Sequence, residues 1–277
     1  MGRIMAVVNQ KGGIGKTTST FAIGTALADR GLAVLLIDFD PQASLTTAAG
    51  FEPDRLDRTI YTLMTDYLRA LTPPALAPAL QEIAPTLHLL PANIDLAAAE
   101  FDLVMAVRRE YVLQQILAGA ATYDVVLIDC PPSLGMLTIN ALTAAHSVLI
   151  PVVPEYLAVR GLEALLRSIE RTQRAGLNPA LTIDGVLFTM VASRVTHGRQ
   201  VMEAVRAHLG ATVPMLGEIR RSIRVAEAAE QGVPLTQYSG AGEIAAAYAA
   251  VADALLRTWG LSQAVTPSPV TMGVSHE

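Results

Sequence analysis

Lys11-Gly12-Gly13-Ile14-Gly15-Lys16-Thr17-Thr18 contains both lysines of this 277-residue chain. The other 18 of its 20 cationic residues are arginines. A lysine ammonium is a compact charge on a thin stem, whereas an arginine guanidinium is a broad planar fork. Because a narrow glycine loop around phosphate groups admits the first shape more easily, the stretch predicts a phosphate-binding loop.

The sequence on either side of this loop has the pattern that such a loop requires. Residues 3–9 are predicted to form a buried strand, and residues 16–30 a helix that Gly31 ends. Gln10 stands where the standard loop has its first glycine, so the motif is a variant. Backbone N–H groups of residues 12–16 would form an anion-binding nest at the positive end of the helix. Lys16 would meet the β- and γ-phosphates, and the Thr17 hydroxyl would bind Mg²⁺.

Two carboxylate motifs follow, each at the end of an apolar run. The predicted strand 33–37 leads into Asp38 and Asp40, and the run 124–128 leads into Asp129. In an open parallel sheet, ligands bind at the carboxyl ends of the strands, so the loop and both motifs should converge. Asp129 has the position of a carboxylate that holds Mg²⁺ through water, and Asp40 is a further metal candidate. Asp38 lies near them, or it has only a structural role as a turn cap.

These motifs together resemble the deviant-Walker ParA/MinD ATPases, and the similarity is greatest to the ParA branch, also called Soj. It extends from residue 3 to about residue 257 and includes the segments 155–162, 189–194 and 219–228. The family's adenine-side loop commonly reads Pro-Arg-Asn-Val-Arg, and here residues 220–224 read Arg-Arg-Ser-Ile-Arg. This departure affects base recognition and leaves the phosphate chemistry untouched.

The resemblance implies a switch that closes as a homodimer around ATP and Mg²⁺ and opens on hydrolysis. Lys11 would reach the partner subunit's ATP, Lys16 would act within its own subunit, and Asp40 would orient the attacking water. Hydrolysis would be slow and stimulated by a ParB-like protein, and the output would be segregation of chromosome or plasmid DNA. The implied nucleotide-binding residues are Lys11, Gly12, Gly13, Ile14, Gly15, Lys16, Thr17, Thr18, Arg220 and Ser222.

The charge pattern bears on DNA. A net charge of −5 argues against a constitutive nucleic-acid binder. The arginines are unevenly distributed, however, and the resemblance favours nonspecific double-stranded DNA as a partner of the ATP dimer, with affinity that falls steeply with salt. The candidate DNA-binding residues are Arg194, Arg199, Arg220, Arg221 and Arg224.

Three other functions remain open. A ParA-like protein could position another cargo, such as a chemotaxis cluster or a microcompartment. A MinD-like membrane-cycling regulator needs a basic amphipathic C-terminal helix, and no Lys or Arg follows Arg257. A metabolic ligase related to dethiobiotin synthetase needs a small-molecule acceptor pocket and no Lys11 in trans. We expect a cytoplasmic protein, because residues 1–9 lead directly into the loop without a signal peptide. DNA binding would make it nucleoid-associated, and the tail argues against stable membrane association.

The alternation of apolar runs with helical stretches predicts an α/β fold with a doubly wound, mostly parallel sheet and helices on both faces. We expect one ATPase domain over residues 1–260 and a disordered tail over 261–277. The predicted strands are 3–9, 33–37, 86–90, 124–129, 147–153, 182–189 and 213–217. The predicted helices are 16–30, 56–70, 96–119, 136–144, 158–175, 197–209, 222–231 and 242–259.

Overall fold

The computed structural model describes residues 2–192 and 196–261, so Arg194 and the predicted tail beyond residue 261 lie outside the described chain. Eight strands form one sheet in the order β3-β4-β2-β5-β1-β6-β7-β8. Every pairing is parallel except that of β3 with β4. The strands are β1 (Arg3–Val7), β2 (Val34–Asp38), β3 (Gln81–Ala84), β4 (Leu87–Leu90), β5 (Val125–Asp129), β6 (Ser147–Val152), β7 (Thr182–Val191) and β8 (Met215–Arg220).

Helices cover both faces of this sheet, as predicted. None of those in residues 2–192 and 196–261 is long and apolar enough to cross a membrane. The helices are α1 (Lys16–Ala28), α2 (Ser44–Ala48), α3 (Ile60–Ala70), α4 (Ala99–Val104), α5 (Val112–Ile116), α6 (Met136–Ala144), α7 (Ala158–Arg174), α8 (Thr196–Leu209), α9 (Arg224–Glu230) and α10 (Gly242–Trp259).

The central strands are apolar throughout because both of their faces are buried. In β1, Ile4 and Ala6 pack into the layer that contains α3 to α8. Met5 and Val7, on the opposite face, pack into the layer of α1, α2 and α10. The predicted buried strand is therefore sandwiched between two apolar layers, and its carboxyl end opens directly into the glycine loop.

One predicted helix, 96–119, is wrong as a continuous element. The chain forms α4 and α5 there, separated and flanked by 3-10 turns, and Arg108 between them adopts a left-handed conformation with φ 55°. The Asn140 side chain of α6 replaces helical backbone bonds: its amide donates to the Arg109 carbonyl at 2.9 Å and its carbonyl accepts from the Leu113 N–H at 3.1 Å. A tertiary contact thus breaks a segment whose local sequence favours a helix.

Two short elements were missed, the edge strand β3 and the five-residue α2. The sequence of β3, Gln-Glu-Ile-Ala, is short and lacks the β-branched pattern that marks a strand. The predicted helix 56–70 begins only at Ile60, because the Thr62 hydroxyl accepts from the Thr59 N–H at 3.0 Å and caps the helix there. None of these differences affects the order of the central strands.

The register brings the predicted motifs together. β5 lies between β1 and β2, and Asp129 is the direct neighbour of Val7 on one side and of Asp38 on the other. The glycine loop therefore starts beside Asp129, and the segment that carries Asp40 starts beside it as well. The three carboxyl ends form one site, as the parallel topology requires.

Candidate nucleotide site

The glycine loop has the backbone shape of an anion-binding nest. Gly13 and Gly15 adopt φ values of 68° and 86°, in the left-handed region that only glycine enters readily. Gly15 is the N-cap of α1, and its carbonyl accepts the first helical bond, from the Ser19 N–H at 2.9 Å. The loop thus presents its N–H groups at the positive end of a 13-residue helix, where an anion is favoured.

The two lysines of the loop lie in different surroundings. Lys16 is buried, with 7% of its surface exposed, and its ammonium donates to the Lys11 carbonyl at 3.4 Å. The Lys11 side chain is half exposed and forms an ion pair with Glu155, which follows β6. Lys16 is therefore held inside the loop, whereas Lys11 lies at its outer surface.

Thr17 and Asp129 form the candidate magnesium position. The Thr17 hydroxyl donates to Asp129 Oδ2 at 2.6 Å, and Asp129 is 1% exposed. Its other oxygen, Oδ1, is buried without a hydrogen-bond partner in the part of the chain that the structure describes. An orphaned carboxylate oxygen beside a threonine hydroxyl fits Mg²⁺, which is bound by carboxylates and retained waters. The geometry of Thr17 and Asp129 is therefore compatible with Mg²⁺, and their assignment as its ligands stays a prediction.

The pKa of Asp129 is raised well above its usual value, first by burial and then by the charge of Asp38, while the Thr17 bond opposes the rise. Burial also raises the pKa of Asp38, to about 6, against the hydrogen bonds from Thr46. Two buried carboxyl groups on adjacent strands disfavour each other's ionised form. A divalent cation would reverse that balance, because its charge favours both carboxylates.

Asp38 and Asp40 have separate roles in the geometry. Asp38 is fully buried, and its Oδ2 accepts from the Thr46 N–H at 2.8 Å and from the Thr46 hydroxyl at 2.7 Å. These bonds hold the segment between β2 and α2 in place. Asp40 is half buried and lines the cleft, where one of its oxygens accepts from the Gln42 N–H at 3.0 Å. Asp38 thus braces the segment that presents Asp40 to the cleft.

A cleft of about 470 Å³ lies over the loop. Its polar wall contains the loop residues Gly12–Thr18 and Asp40, and its apolar wall includes Val225 and Ala228 of α9. A second cleft of about 480 Å³ adjoins it and shares Gly15, Thr18 and Met190 with it. Arg220 and Ser222, predicted on the adenine side, line this second cleft, which is thus continuous with the phosphate loop.

The predicted DNA-binding arginines differ in availability. Arg220 pairs with Glu243 at 2.9 Å and Arg224 with Glu227 at 2.8 Å. Arg199 and Arg221 form no ion pair with another described residue, and both line a third cleft of about 540 Å³ that also contains Glu155 and Glu218. The structure brings Arg199 and Arg221 to one surface, while Arg194 lies outside the described residues.

Sequence reasoning missed the apolar and backbone-bracing parts of the site. Met190, Val225 and Ala229 line both nucleotide-side clefts, and Thr189, which lines the second one, donates its hydroxyl to the Ile14 carbonyl of the loop. Apolar lining residues have no motif of their own, because the same residues at the same spacing occur in any core. Thr189 and Met190 lie in a segment that resembles the ParA branch, and this was the only signal available for them.

Comparison with known proteins agrees with this geometry. The AAA domain family model matches residues 2–183. The chain is 41% identical to the sporulation initiation inhibitor protein Soj of Bacillus subtilis over 245 residues, 86% of this chain and 92% of that protein. It is 42% identical to the chromosome partitioning protein ParA of Caulobacter vibrioides, covering 85% of this chain and 87% of that one.

A solved structure is also similar, that of Mycobacterium smegmatis cobyrinic acid a,c-diamide synthase with bound ADP and magnesium. Its TM-score is 0.77 at 40% identity, covering 97% of this chain and all of that one. The same protein has also been crystallised with an ATP analogue and magnesium. Because its sequence, fold and glycine loop all match these proteins, this chain belongs to the ParA/Soj family of chromosome-partitioning P-loop ATPases.

Proposed function

We propose that this protein is a ParA-type switch that binds ATP with Mg²⁺, closes as a homodimer, binds nonspecific DNA in that state, and opens on hydrolysis. The observation that carries this proposal is the pair of lysines in one loop, one buried beneath the phosphate site and one exposed at its outer surface. A buried lysine serves its own subunit's phosphates, whereas an exposed one can reach a second subunit.

The loop and the carboxylates divide the chemistry of hydrolysis. Loop N–H groups and Lys16 bind the phosphates, and Arg220 and Ser222 contact the base side. Thr17 and Asp129, the latter through water, would hold Mg²⁺, with Asp40 as a further candidate ligand. When bound, the cation neutralises charge on the phosphate oxygens. Asp40, presented to the cleft by the segment that Asp38 braces, orients the attacking water.

Lys11 completes the site of the partner subunit. Its exposed ammonium stabilises the negative charge that develops on the transferring phosphoryl group, as an arginine finger does. The ion pair with Glu155 occupies Lys11 while no second subunit is present. Slow turnover follows, because a single subunit lacks one cation of the catalytic set.

The dimer doubles the arginine surface around Arg199 and Arg221 and so creates a DNA-binding state that depends on ATP. A ParB-like protein that stimulates hydrolysis would dissolve this state, and repeated cycles would segregate chromosome or plasmid DNA. A cytoplasmic, nucleoid-associated location follows from DNA binding. The support is the family together with a net charge too negative for constitutive DNA binding.

Size-exclusion chromatography with light scattering, combined with an ATPase assay, tests this division between the lysines. Lys16→Ala should abolish ATP binding, because the buried ammonium inside the loop is lost. Lys11→Ala should bind ATP with little change yet form no stable dimer and hydrolyse at least about 100-fold more slowly, the loss typical of one charge-stabilising donor. Asp40→Ala should bind ATP and remain trapped as a dimer.

Arg55→Ala is the matched control, because it removes an exposed cation from a side chain remote from the cleft. Normal turnover of Lys16→Ala would refute the assignment of the loop. An ATP-dependent dimer of normal stability in Lys11→Ala would refute the role in trans.

A synthase reaction is the second candidate, favoured by the likeness to the Mycobacterium smegmatis structure and by the third cleft, which could take a small acceptor. This reading predicts ATP consumption that depends on a small carboxylic acid and survives Lys11→Ala. ATP turnover that needs no acceptor and requires Lys11 excludes it.

A further inference from the structure

Thr189 lies beside the phosphate loop and lines the second, base-side cleft together with Gly15. It lies near the end of β7, is 2% exposed, and its hydroxyl donates to the carbonyl of Ile14 at 2.7 Å. Ile14 is flanked by Gly13 and Gly15, both in the left-handed region. The contact therefore joins a glycine-flanked position of the loop to a strand 175 residues away in the sequence.

An irregularity in β7 accompanies this contact. Phe188 pairs with Glu218 and Val191 with Arg220, so β7 has one extra residue between these pairs. Met190 adopts a φ of 52°, rare for a non-glycine residue. Val191 consequently packs into the same apolar layer as Phe188, three positions earlier, although strict alternation would place them on opposite faces. Such bulges re-aim side chains next to sites of function, and Thr189 lies within this one.

The planar trans peptide links this carbonyl to the phosphate site. In a trans peptide, C=O and the following N–H point in opposite directions. Fixing the Ile14 carbonyl against Thr189 therefore fixes the Gly15 N–H in the opposite direction, away from β7. Because the Ile14–Gly15 peptide leads into a glycine, whose φ changes at low cost, its orientation depends on an external hydrogen bond.

We propose that Thr189 is a positioning residue that holds the Gly15 N–H in the orientation that binds nucleotide phosphate. This inference rests on the proposed ATP binding and adds a residue outside the glycine motif to it. Thr189 touches no phosphate itself, since its hydroxyl is used by the Ile14 carbonyl. Its contribution is preorganisation, so its loss should weaken phosphate binding more than it weakens binding of the base.

The test compares Thr189→Val, which keeps the shape and removes the hydroxyl, with Thr189→Ser, which keeps the hydroxyl. ADP affinity is measured by calorimetry with Mg²⁺, and adenosine affinity by ligand-observed NMR, below the unfolding temperature of each variant. Thr189→Val should bind ADP about tenfold more weakly, the typical worth of one hydrogen bond, with adenosine unchanged. Thr189→Ser should restore ADP affinity close to wild type.

Thr172→Val is the matched control. Thr172 is also buried, and its hydroxyl donates to the Ser168 carbonyl at 3.0 Å, within α7. Wild-type ADP affinity in Thr189→Val, an equal loss for adenosine, or an equal loss in Thr172→Val would overturn the inference. If wild-type protein binds no ADP, the proposed function fails as well, which distinguishes that failure from failure of the Thr189 role alone.

Discussion

His88 is a buried histidine in the centre of β4, with 1% of its surface exposed. Its ring packs edge-on against Tyr123 at a centroid distance of 5.7 Å, and its Nδ1 has no hydrogen-bond partner within the described residues. Burial lowers the pKa of His88 from its ordinary 6.5, against an opposing effect of Glu82. The folded protein therefore contains the neutral ring.

The sign of the pH dependence follows from this lowered pKa. Between the folded pKa and 6.5, the unfolded chain binds more protons at this position, so the His88 contribution to stability falls as pH falls. His88→Leu removes the titration without removing the apolar packing. As the pH falls from 7.5 to 5.5, the free energy of unfolding of His88→Leu should increase relative to that of the wild type, as measured by urea denaturation. If the free energies of unfolding of the variant and the wild type changed equally with pH, a neutral His88 in the folded protein would be contradicted.

The sequence could place a functional side chain only where a local motif marks its chemistry. The loop, Asp129 and Asp40 could be placed from the sequence, because glycine spacing and strand ends are local patterns. The pairing of Lys11 with Glu155 and of Thr189 with Ile14 could not, because each joins residues more than 140 positions apart. Such contacts depend on β6 lying beside β1 and on β7 lying beside β6, an order that the sequence does not predict.

At the scale of elements, α4 is attached to α6 by one side chain. Glu100 of α4 accepts from the Met136 N–H at 2.8 Å and from the Leu137 N–H at 3.3 Å, and so caps the first turn of α6. α6 begins a few residues after Asp129, so this cap connects the magnesium side of the site to the exposed surface of α4. That surface carries Phe101 and Met105, which are 80% and 88% exposed.

A double-mutant cycle tests this connection. Glu100→Ala should cost about 1 kcal/mol of unfolding free energy, the usual loss for a helix cap. In Gly135→Ala, a Cβ would stand 2.3 Å from Glu100 Oε1 and displace the carboxylate, so this variant should also be less stable. Because both changes break one contact, the double variant should be less destabilised than their sum by at least about 0.5 kcal/mol. Additive losses would show that Gly135→Ala does not act through the Glu100 cap, and an unchanged stability of Glu100→Ala would show that the cap contributes nothing.

Elements were predicted well where burial on both faces makes long apolar runs, as in β1, β2 and β5. The segment 96–119 was wrong because its helical pattern is overridden by Asn140, a residue outside the segment. The edge strand β3 escaped prediction because its pairing with β4 depends on a turn rather than on an apolar pattern. These misses share a cause, since each element is determined by a neighbour and not by its own residues.

At the scale of the whole molecule, the nucleotide and arginine surfaces adjoin, because the base-side cleft and the arginine cleft share Met190, Arg220 and Arg221. Met190 lines the cleft over the loop, the adjoining base-side cleft and the cleft that contains Arg199 and Arg221. Nucleotide binding and the arginine surface therefore share a wall within a single edge of the sheet. This arrangement supports a DNA affinity that responds to the state of the nucleotide.

Charge reversal of Arg199 and Arg221, which form no ion pair with another described residue, tests the location of the proposed DNA surface. Arg199→Glu with Arg221→Glu should abolish DNA binding and leave the ATP-dependent dimer intact, because phosphate contacts dominate nonspecific affinity. Arg55→Glu with Arg257→Glu makes the same change in net charge at exposed positions elsewhere and should retain binding. DNA affinity is measured by fluorescence anisotropy with labelled duplex. If both double variants lost the same affinity, Arg199 and Arg221 would have no specific role in DNA binding.

Nucleotide-dependent DNA binding is the central property of the proposed switch, and co-sedimentation of the wild-type protein measures it directly. The protein is offered nonspecific duplex DNA and anionic liposomes in parallel, with Mg²⁺ and either a slowly hydrolysed ATP analogue or ADP, over a range of salt concentrations. We predict DNA binding with the analogue only, lost steeply as salt rises, and no liposome binding. Binding to liposomes would instead indicate a membrane-cycling regulator, and binding to neither, or equal DNA binding with ADP, would contradict the proposed switch.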